Sequence, residues 1–171
     1  MVHPIRRIKP GDGVVLRSIR LRALLSDPRA FDSSHERESQ LPTDEWDRRA
    51  TEASIGDKQT LFLVDTPAGL VGMAGAYTPG DRTSVRRLYG MWVAPEARRA
   101  SIGAQLIEAI TSWSLEVGAE AVQLWVVDEN VAARRLYERA GFADTGVNQP
   151  LPSNPTVTET LMQLGLVSPS E

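Results

Sequence analysis

The order of apolar and polar residues along this chain follows two different periods. Apolar side chains recur every three or four residues after Asp12 and again from Ile102 to Val117, which predicts amphipathic helices. Runs rich in β-branched and aromatic residues predict strands, and they cover residues 5–8, 60–65, 69–77, 83–93, 121–127 and 156–166. Because helices and strands interleave and no linker divides them, we expect a single α/β domain with a mixed sheet.

Residues that favour helix ends mark the other helical segments. Asp12 is a candidate N-cap for the first helix. Thr43 is a candidate cap for a second helix over residues 44–53, and the spacing of Trp46 and Ala50 turns both side chains toward the core. The pattern therefore predicts two helices before the first long strand.

The C-terminal third continues with a further helix over residues 130–142, which begins at the candidate cap Asn130 and ends at Gly141. After it we expect a short strand over residues 142–146. Residues 147–155 hold three prolines, and we expect a loop there before the last strand.

Two strands stand out at the centre of the chain. The strand over 83–93 breaks strict alternation, so we expect a bulge or splay near Gly90. The strand over 121–127 carries a single polar side chain, Gln123, which predicts a strand that is buried on both faces.

Composition excludes several classes of function. The chain has 171 residues, a net charge of -3, no cysteine and only two histidines. These values disfavour a nucleic-acid binder, a thiol nucleophile, a metal site and a Ser-His-Asp arrangement. The sequence has no apolar run of transmembrane length and its first residues lack a signal-peptide core, so we expect a cytoplasmic protein without a membrane partner.

The segment VAPEARRASIGAQLIEAI, residues 93–110, joins a strand to a helix through two arginines and several small residues. The first N–H groups of a helix have no intrahelical acceptor, and the aligned peptide dipoles add about half a positive charge there. Arg98 and Arg99 add positive charge, and each guanidinium can donate two parallel hydrogen bonds to a phosphate group. The segment therefore predicts a site for an oligophosphate group. The alternative is an ordinary helix start with two solvent-exposed arginines and no ligand. It matches neither GxxxxGK[ST] nor GxGxxG.

Two signatures identify a family. A Gln/Arg-x-x-Gly-x-Gly/Ala pattern falls on residues 98–103, and an Asn, a helical Tyr and a Gly-Phe pair follow as Asn130, Tyr137, Gly141 and Phe142. They occur in this order, about thirty residues apart, on a background of strand, helix, strand and helix. On these residues the chain resembles the GCN5-related N-acetyltransferase (GNAT) family over most of its length.

The resemblance implies an architecture and a cosubstrate. The fold would be a mixed, mostly antiparallel sheet of six to seven strands with about four flanking helices and a V-shaped splay between two central parallel strands. Acetyl-CoA would lie in that splay, and no metal is implied. The residues that would bind acetyl-CoA are Met91, Trp92, Val93, Arg98, Arg99, Ala100, Ser101, Ile102, Gly103, Ala104, Asn130 and Tyr137.

The resemblance also implies that Tyr137 is a general acid that protonates the departing thiolate of coenzyme A. Tyrosine, with an ordinary pKa of about 10, carries its proton at neutral pH, as that role requires. Without a cysteine, transfer through a Cys intermediate is excluded, so we expect direct transfer to the amine. The alternative for Tyr137 is an aromatic side chain that packs on the sheet.

Ser101 departs from the family signature, which has glycine there. A positive φ at this position would cost serine about 1–2 kcal/mol. We favour the other possibility, that Ser101 has a negative φ and caps the helix through its hydroxyl.

The general base and the acceptor site are less defined. The strand position at which some family members carry a glutamate falls near Arg87, which cannot accept a proton. Glu38 is the first candidate base, and Glu36, His35 and Glu159 are the others. Residues 28–58 and 147–156 are expected to form the rim of the acceptor site, with substrate contacts from Phe31, Glu36 and Tyr89.

Together these observations predict an acetyl-CoA-dependent N-acetyltransferase that moves an acetyl group to a primary amine of a small molecule or peptide. The alternative from another class is an acyl-CoA-binding sensor or interaction module without turnover. A homodimer through the last strands is possible, and residues 166–171 are expected to form a flexible tail.

Overall fold

A computed structural model of the chain describes residues 3–167. These residues form seven strands and five α-helices, joined by loops and short turns. The strands are β1 (Ile5–Arg7), β2 (Gln59–Thr66), β3 (Gly69–Tyr77), β4 (Val85–Val93), β5 (Ala121–Val127), β6 (Ala143–Leu151) and β7 (Asn154–Gly165). The helices are α1 (Gly13–Ser26), α2 (His35–Ser39), α3 (Thr43–Ser54), α4 (Ile102–Glu116) and α5 (Val131–Arg139).

The seven strands form one sheet in the order β1-β2-β3-β4-β5-β7-β6. β4 and β5 are the parallel pair, and each of the other neighbouring pairs is antiparallel. The parallel pairing covers only residues 85–87 of β4 and 121–123 of β5. Beyond these rungs the two strands diverge, which confirms the predicted mixed sheet and its V-shaped splay.

A β-bulge bends β4 beside the splay. Met73 of β3 pairs with Trp92, but Gly75, two residues on, pairs with Tyr89, so β4 holds one extra residue. Gly90 lies in this stretch with a φ of 63°, in the region that glycine tolerates best. The predicted bulge near Gly90 is confirmed.

The core lies between the sheet and the helices on it. α1 packs on α3 and on β3, while α4 packs on β3, β4 and β2. Trp46 and Ala50 of α3 are buried, as their spacing predicts. Most residues of β5 are buried as well, which agrees with its nearly unbroken apolar run.

Three helix starts differ from the sequence prediction. Thr43 is the first residue of α3 rather than its cap, because the extended Pro42 precedes it. The carboxylate of Asp12 makes no capping bond to α1 and instead accepts hydrogen bonds from Arg6 and from the Lys9 main chain. The short helix α2 was not predicted; Ser34 caps it by accepting a hydrogen bond from Arg37 N at 3.1 Å.

The predicted loop over residues 147–155 is wrong. β6 continues to Leu151, and β7 already begins at Asn154. β6 is an edge strand, so Pro150 can pair with Thr158 without a second neighbour that would need its missing N–H. The pair of strands forms a hairpin whose turn lies close to the splay.

At the C-terminal end, Leu166 N donates a hydrogen bond to Glu120 O at 2.8 Å, so the chain is still held on the sheet there. The rest of the predicted tail, residues 168–171, lies outside the described residues. Within residues 3–167 the structure has no helix long and apolar enough to cross a membrane.

Candidate active site

The splay between β4 and β5 opens a cavity of about 520 Å³. β4 contributes residues 87–91, β5 contributes residues 125–127, and α5 and the start of its loop contribute Asn130, Ala133, Leu136 and Tyr137. The segment after α1 and the β6–β7 hairpin close the remaining sides. The end of the parallel pairing therefore creates a space that reaches into the sheet.

Tyr137 is placed in the wall of this cavity by α5. Its side chain is 6% exposed, and its ring meets Phe142 edge to face with 5.8 Å between centroids. The hydroxyl has no hydrogen-bond partner in the described part of the chain. Burial raises the pKa of Tyr137 above its usual value, so the phenol keeps its proton across the neutral range.

Asn130 has the capping role that the sequence predicts. Its Oδ1 accepts a hydrogen bond from Ala133 N at 3.1 Å, which satisfies one of the free donors at the start of α5. The residue also lines the cavity. Capping therefore fixes Asn130, and with it the beginning of α5, at the open end of the splay.

The turn over residues 98–101 has two residues with positive φ, Arg99 at 67° and Ser101 at 62°. The expectation of a negative φ at Ser101 is wrong. The Ser101 side chain makes no capping hydrogen bond to α4, so the predicted cap is also wrong. The chain enters α4 through a left-handed residue at Ser101, a conformation that costs serine about 1–2 kcal/mol.

The first turn of α4 leaves donors available. The main-chain N–H groups of Ile102, Gly103 and Ala104 donate to no acceptor within residues 3–167, as expected at a helix start. Gly103 packs closely on α5, since a Cβ there would stand 2.9 Å from Leu136 Cδ2. This contact places the free donors next to the helix that carries Tyr137.

Arg98 does not extend freely into solvent. Its Nη2 donates to Asp27 Oδ2 at 2.7 Å and its Nε donates to Val93 O at 3.0 Å. Trp92 Nε1 donates to the same Asp27 oxygen at 2.8 Å. Burial alone would raise the pKa of Asp27, but hydrogen bonds from Ser26, Trp92 and Arg98 together lower it, so Asp27 stays a carboxylate that ties α1 to the turn.

Only some of the predicted cofactor-binding residues of β4 and the turn after it line the cavity. Met91 lines it, whereas the Trp92 side chain is buried elsewhere and 3% exposed. Arg99 and Ala100 are exposed at the turn, on the solvent side of the chain. Main-chain groups of β4 beyond Arg87 have no β5 partner, so those that bind neither β3 nor Arg98 are available to a bound molecule.

Glu38 lies outside the cavity. Its carboxylate is 6% exposed and accepts two hydrogen bonds from Arg20, with Nη2–Oε1 at 2.9 Å and Nε–Oε2 at 3.0 Å. Burial opposes ionisation, but the hydrogen bonds and charge of Arg20 hold the pKa of Glu38 below its usual value. A carboxylate held in this way is a poor proton acceptor, which argues against Glu38 as the base.

The other candidate acids and bases differ in position. Glu36 is exposed and does not line the cavity, and His35 is half-buried in α2, also outside the cavity lining. Glu159 of β7 lines the cavity, is 7% exposed and accepts a hydrogen bond from Gln149 Nε2 at 2.6 Å. The structure therefore brings Glu159, rather than the α2 residues, to the same cavity as Tyr137.

The aromatic residues Phe31 and Tyr89 line the cavity together with Tyr137. The Arg20 guanidinium stacks over Phe31 at 4.8 Å, and Tyr89 meets Tyr77 edge to face at 5.6 Å. The two predicted rim segments meet where Asp32 Oδ1 accepts a hydrogen bond from Ser153 N at 2.8 Å.

The model of the Acetyltransferase (GNAT) family matches residues 20–142, which is most of the chain and includes β4, α4, β5 and α5. The chain belongs to the GNAT family.

Known proteins agree with this assignment. The chain is 30% identical over 139 residues to a mycothiol acetyltransferase of Sanguibacter keddieii, a match that covers 78% of this chain and 44% of that protein. The chain thus spans less than half the length of this relative.

Solved structures share the fold. A GNAT-family acetyltransferase of Streptococcus pneumoniae superposes with a TM-score of 0.83 at 18% identity, over 97% of this chain and all of the other. The yncA protein of Salmonella typhimurium, solved with its cofactor acetyl-CoA, superposes with a TM-score of 0.78 at 18% identity, over 100% and 98% of the two chains.

Some residues of this GNAT site were not found from the sequence. Gln149 and Leu151 line the cavity from β6, a stretch whose prolines predict a loop. Asp27, which joins Trp92 and Arg98, lies 71 residues from Arg98 in the chain, and no local pattern indicates that contact. Within the described residues no group of three or more His, Asp or Glu side chains could hold a metal ion.

Proposed function

We propose that this GNAT protein is an acetyl-CoA-dependent N-acetyltransferase that transfers an acetyl group directly to a primary amine. The observation that carries the proposal is the placement of a buried, protonated Tyr137 in the splay beside the free N–H groups of α4. A helix start without acceptors binds phosphate, and a splay in a sheet accepts an extended chain.

The residues around the start of α4 are suited to bind acetyl-CoA. Ile102, Gly103 and Ala104 offer main-chain donors to the diphosphate, and Gly103 keeps the helix start free of a side chain that would meet Leu136. Arg99 is exposed at the turn and supplies positive charge, whereas Arg98 shapes the turn through Asp27 and the Val93 carbonyl. The fold is shared with a protein solved with acetyl-CoA.

Acetyl-CoA supplies the thioester: a C–N bond forms to the amine, and the C–S bond breaks. Tyr137 donates its proton to the leaving sulfur, because the residue lines the cavity and burial keeps its phenol protonated. Met91 and its neighbours on β4 beyond Arg87 have main-chain groups without a β5 partner, and these groups would orient the thioester.

Glu159 is our candidate for the group that takes a proton from the attacking amine. It lines the cavity, its one hydrogen bond comes from the neutral Gln149 side chain, and no cation within residues 3–167 forms an ion pair with it. Most amines of the lysine type are protonated at pH 7, so a carboxylate near the acceptor raises the reactive fraction.

The acceptor is a small molecule or peptide with a primary amine. The related Sanguibacter keddieii protein is a mycothiol acetyltransferase, but the match covers less than half of it, so the acceptor of this chain needs its own measurement.

The direct test is a thiol-release assay with acetyl-CoA and a panel of amines, with acetyl-CoA binding measured in parallel. We expect thiol release that depends on both the protein and an amine. Binding of acetyl-CoA without amine-dependent release would overturn the enzymatic proposal in favour of a sensor without turnover.

A further inference from the structure

Arg87 lies at the closed end of the splay. It pairs with Gln123 in the last rung of the parallel β4–β5 ladder, and its side chain lines the cavity. A side chain in that position meets whatever enters the cavity most deeply.

The guanidinium of Arg87 has no acidic partner. Its Nη2 donates to the neutral Oε1 of Gln123 at 3.0 Å, and its buried Nε has no hydrogen-bond partner. Within residues 3–167 no carboxylate lies within ion-pair distance of it. Arg20, the other arginine that lines the cavity, is neutralised by a two-point contact with Glu38.

The position of Arg87 is held by a chain of hydrogen bonds across three strands. Gln123 Nε2 donates to Gln163 Oε1 at 2.8 Å, which turns the Gln123 oxygen toward Arg87. Gln123 is 4% exposed, so this arrangement is shielded from solvent. A fixed, half-buried cation with unused donors is a binding group for an anion.

The anion is not the diphosphate of coenzyme A. Arg87 precedes Val93 by six residues on an extended strand, which places it roughly 20 Å from the turn that follows β4. The cavity that Arg87 lines is also lined by Tyr89, Phe31 and the β6–β7 hairpin, and by no residue of the turn over 98–101.

Glu159 offers the opposite charge in the same cavity. It pairs with Val127 of β5, four residues beyond Gln123, so the rungs of Arg87 and Glu159 are roughly 13 Å apart along the strand. Both residues line the cavity, so one bound molecule can reach both of them.

We infer that the acceptor carries a carboxylate as well as its amine, and that Arg87 is the residue that selects for it. This inference rests on the proposed function. The carboxylate binds Arg87 at the closed end, and the amine lies toward Glu159 and Tyr137. Arg87 is thus a specificity-determining residue at a strand position where some family members carry a glutamate.

The experiment compares amino acids with their carboxamides: glycine, β-alanine, 4-aminobutyrate, 5-aminopentanoate and L-lysine, each paired with its amide. Thiol release from acetyl-CoA gives kcat/KM, and calorimetry on the protein saturated with coenzyme A gives the affinity for each compound. We expect at least one carboxylate to exceed its amide about tenfold or more in kcat/KM or affinity. In Arg87→Gln that ratio falls to near one, while acetyl-CoA affinity and the melting temperature stay near wild type.

The matched control is Arg82→Gln, an exposed arginine before the same strand, which keeps the wild-type ratio. Arg87→Lys retains the charge without the paired donors and gives an intermediate ratio. Ratios near one throughout the wild-type panel, or an unchanged ratio in Arg87→Gln, would overturn the inference, while amine-dependent thiol release from acetyl-CoA would leave the proposed function standing. A protein that fails to bind acetyl-CoA overturns the proposed function itself.

Discussion

Gly103 and Leu136 touch where α4 meets α5, and a Cβ at position 103 would stand only 2.9 Å from Leu136 Cδ2. Leu136 directly precedes Tyr137. The contact therefore links the donors that would hold a diphosphate to the residue that would protonate the thiolate. A change at this contact alters both parts of the proposed site together.

Gly103→Ala tests this link. The added methyl group forces Leu136 to shift, so we expect acetyl-CoA affinity to fall several-fold and the free energy of unfolding to fall by about 1 kcal/mol. Calorimetry with acetyl-CoA and chemical denaturation give the two values. Gly103→Ala/Leu136→Ala restores room and should recover most of the affinity. Gly165→Ala, where a Cβ meets nothing within 4 Å, is the matched control. Wild-type affinity in Gly103→Ala would contradict the link.

Ser101 is predicted to contribute no cap. Because its side chain makes no hydrogen bond to α4, Ser101→Ala should change the free energy of unfolding by less than about 0.5 kcal/mol. Ser101→Gly removes the strain of the positive φ and should raise the free energy of unfolding by up to about 1 kcal/mol. The greater conformational entropy of glycine in the unfolded chain offsets part of this gain. Ser34→Ala, which removes a real cap, should cost about 1 kcal/mol. A loss in Ser101→Ala equal to that in Ser34→Ala would mean that Ser101 caps α4.

Tyr137→Phe separates acid catalysis from packing. We expect kcat to fall about a hundredfold and acetyl-CoA affinity to change less than twofold, since the ring remains in place. Burial raises the pKa of Tyr137 above its usual value, so its ionisation should not reduce wild-type kcat between pH 8 and 10. Stopped-assay rates and calorimetry provide the readouts. Full turnover in Tyr137→Phe would leave Tyr137 with a packing role only.

Glu159→Gln examines the proposed base. We expect kcat/KM for a lysine-type amine to fall tenfold or more at pH 7 and to recover in part at pH 9, where more of the amine is neutral in solution. Glu116→Gln, an exposed glutamate at the end of α4, is the control and should match the wild type. Equal rates for Glu159→Gln and wild type at pH 7 would remove Glu159 from the mechanism.

Glu38→Gln should act on stability and not on chemistry. The folded pKa of Glu38 is depressed, so its ionisation stabilises the protein above the unfolded pKa of about 4.3, and that contribution is lost as pH falls through the folded value. We expect the variant to lose about 3 kcal/mol at pH 7, and the difference from wild type to shrink toward pH 3. Denaturation curves at pH 7, 5 and 3 measure it. A difference independent of pH would rule out the ion pair as its source.

The fold followed closely from the sequence where local signals were strong. The buried run of β5, the cap at Asn130 and the break near Gly90 each correspond to one local physical requirement, and each was found. The sequence does not predict the full length of β6, because proline disfavours a central strand and Pro150 therefore indicates a loop. β6 is an edge strand, which tolerates proline, but its edge position depends on the arrangement of the whole sheet.

The site was harder to predict because it depends on contacts between distant residues. Glu38 reads as a free carboxylate, yet Arg20, on another helix, holds it. Arg98 reads as a phosphate ligand, yet Asp27 binds it. Serine is a common cap residue, yet Ser101 has a left-handed backbone and its side chain does not cap α4. Charge partners and backbone geometry of this kind are set by tertiary packing.

A crystal structure of the protein with coenzyme A tests the central claim most directly. We predict diphosphate oxygens within hydrogen-bond distance of the N–H groups of Ile102, Gly103 and Ala104, with the pantetheine arm between β4 and β5 and its sulfur near the Tyr137 hydroxyl. Coenzyme A bound with its diphosphate away from this helix start, or outside the splay, would contradict the account.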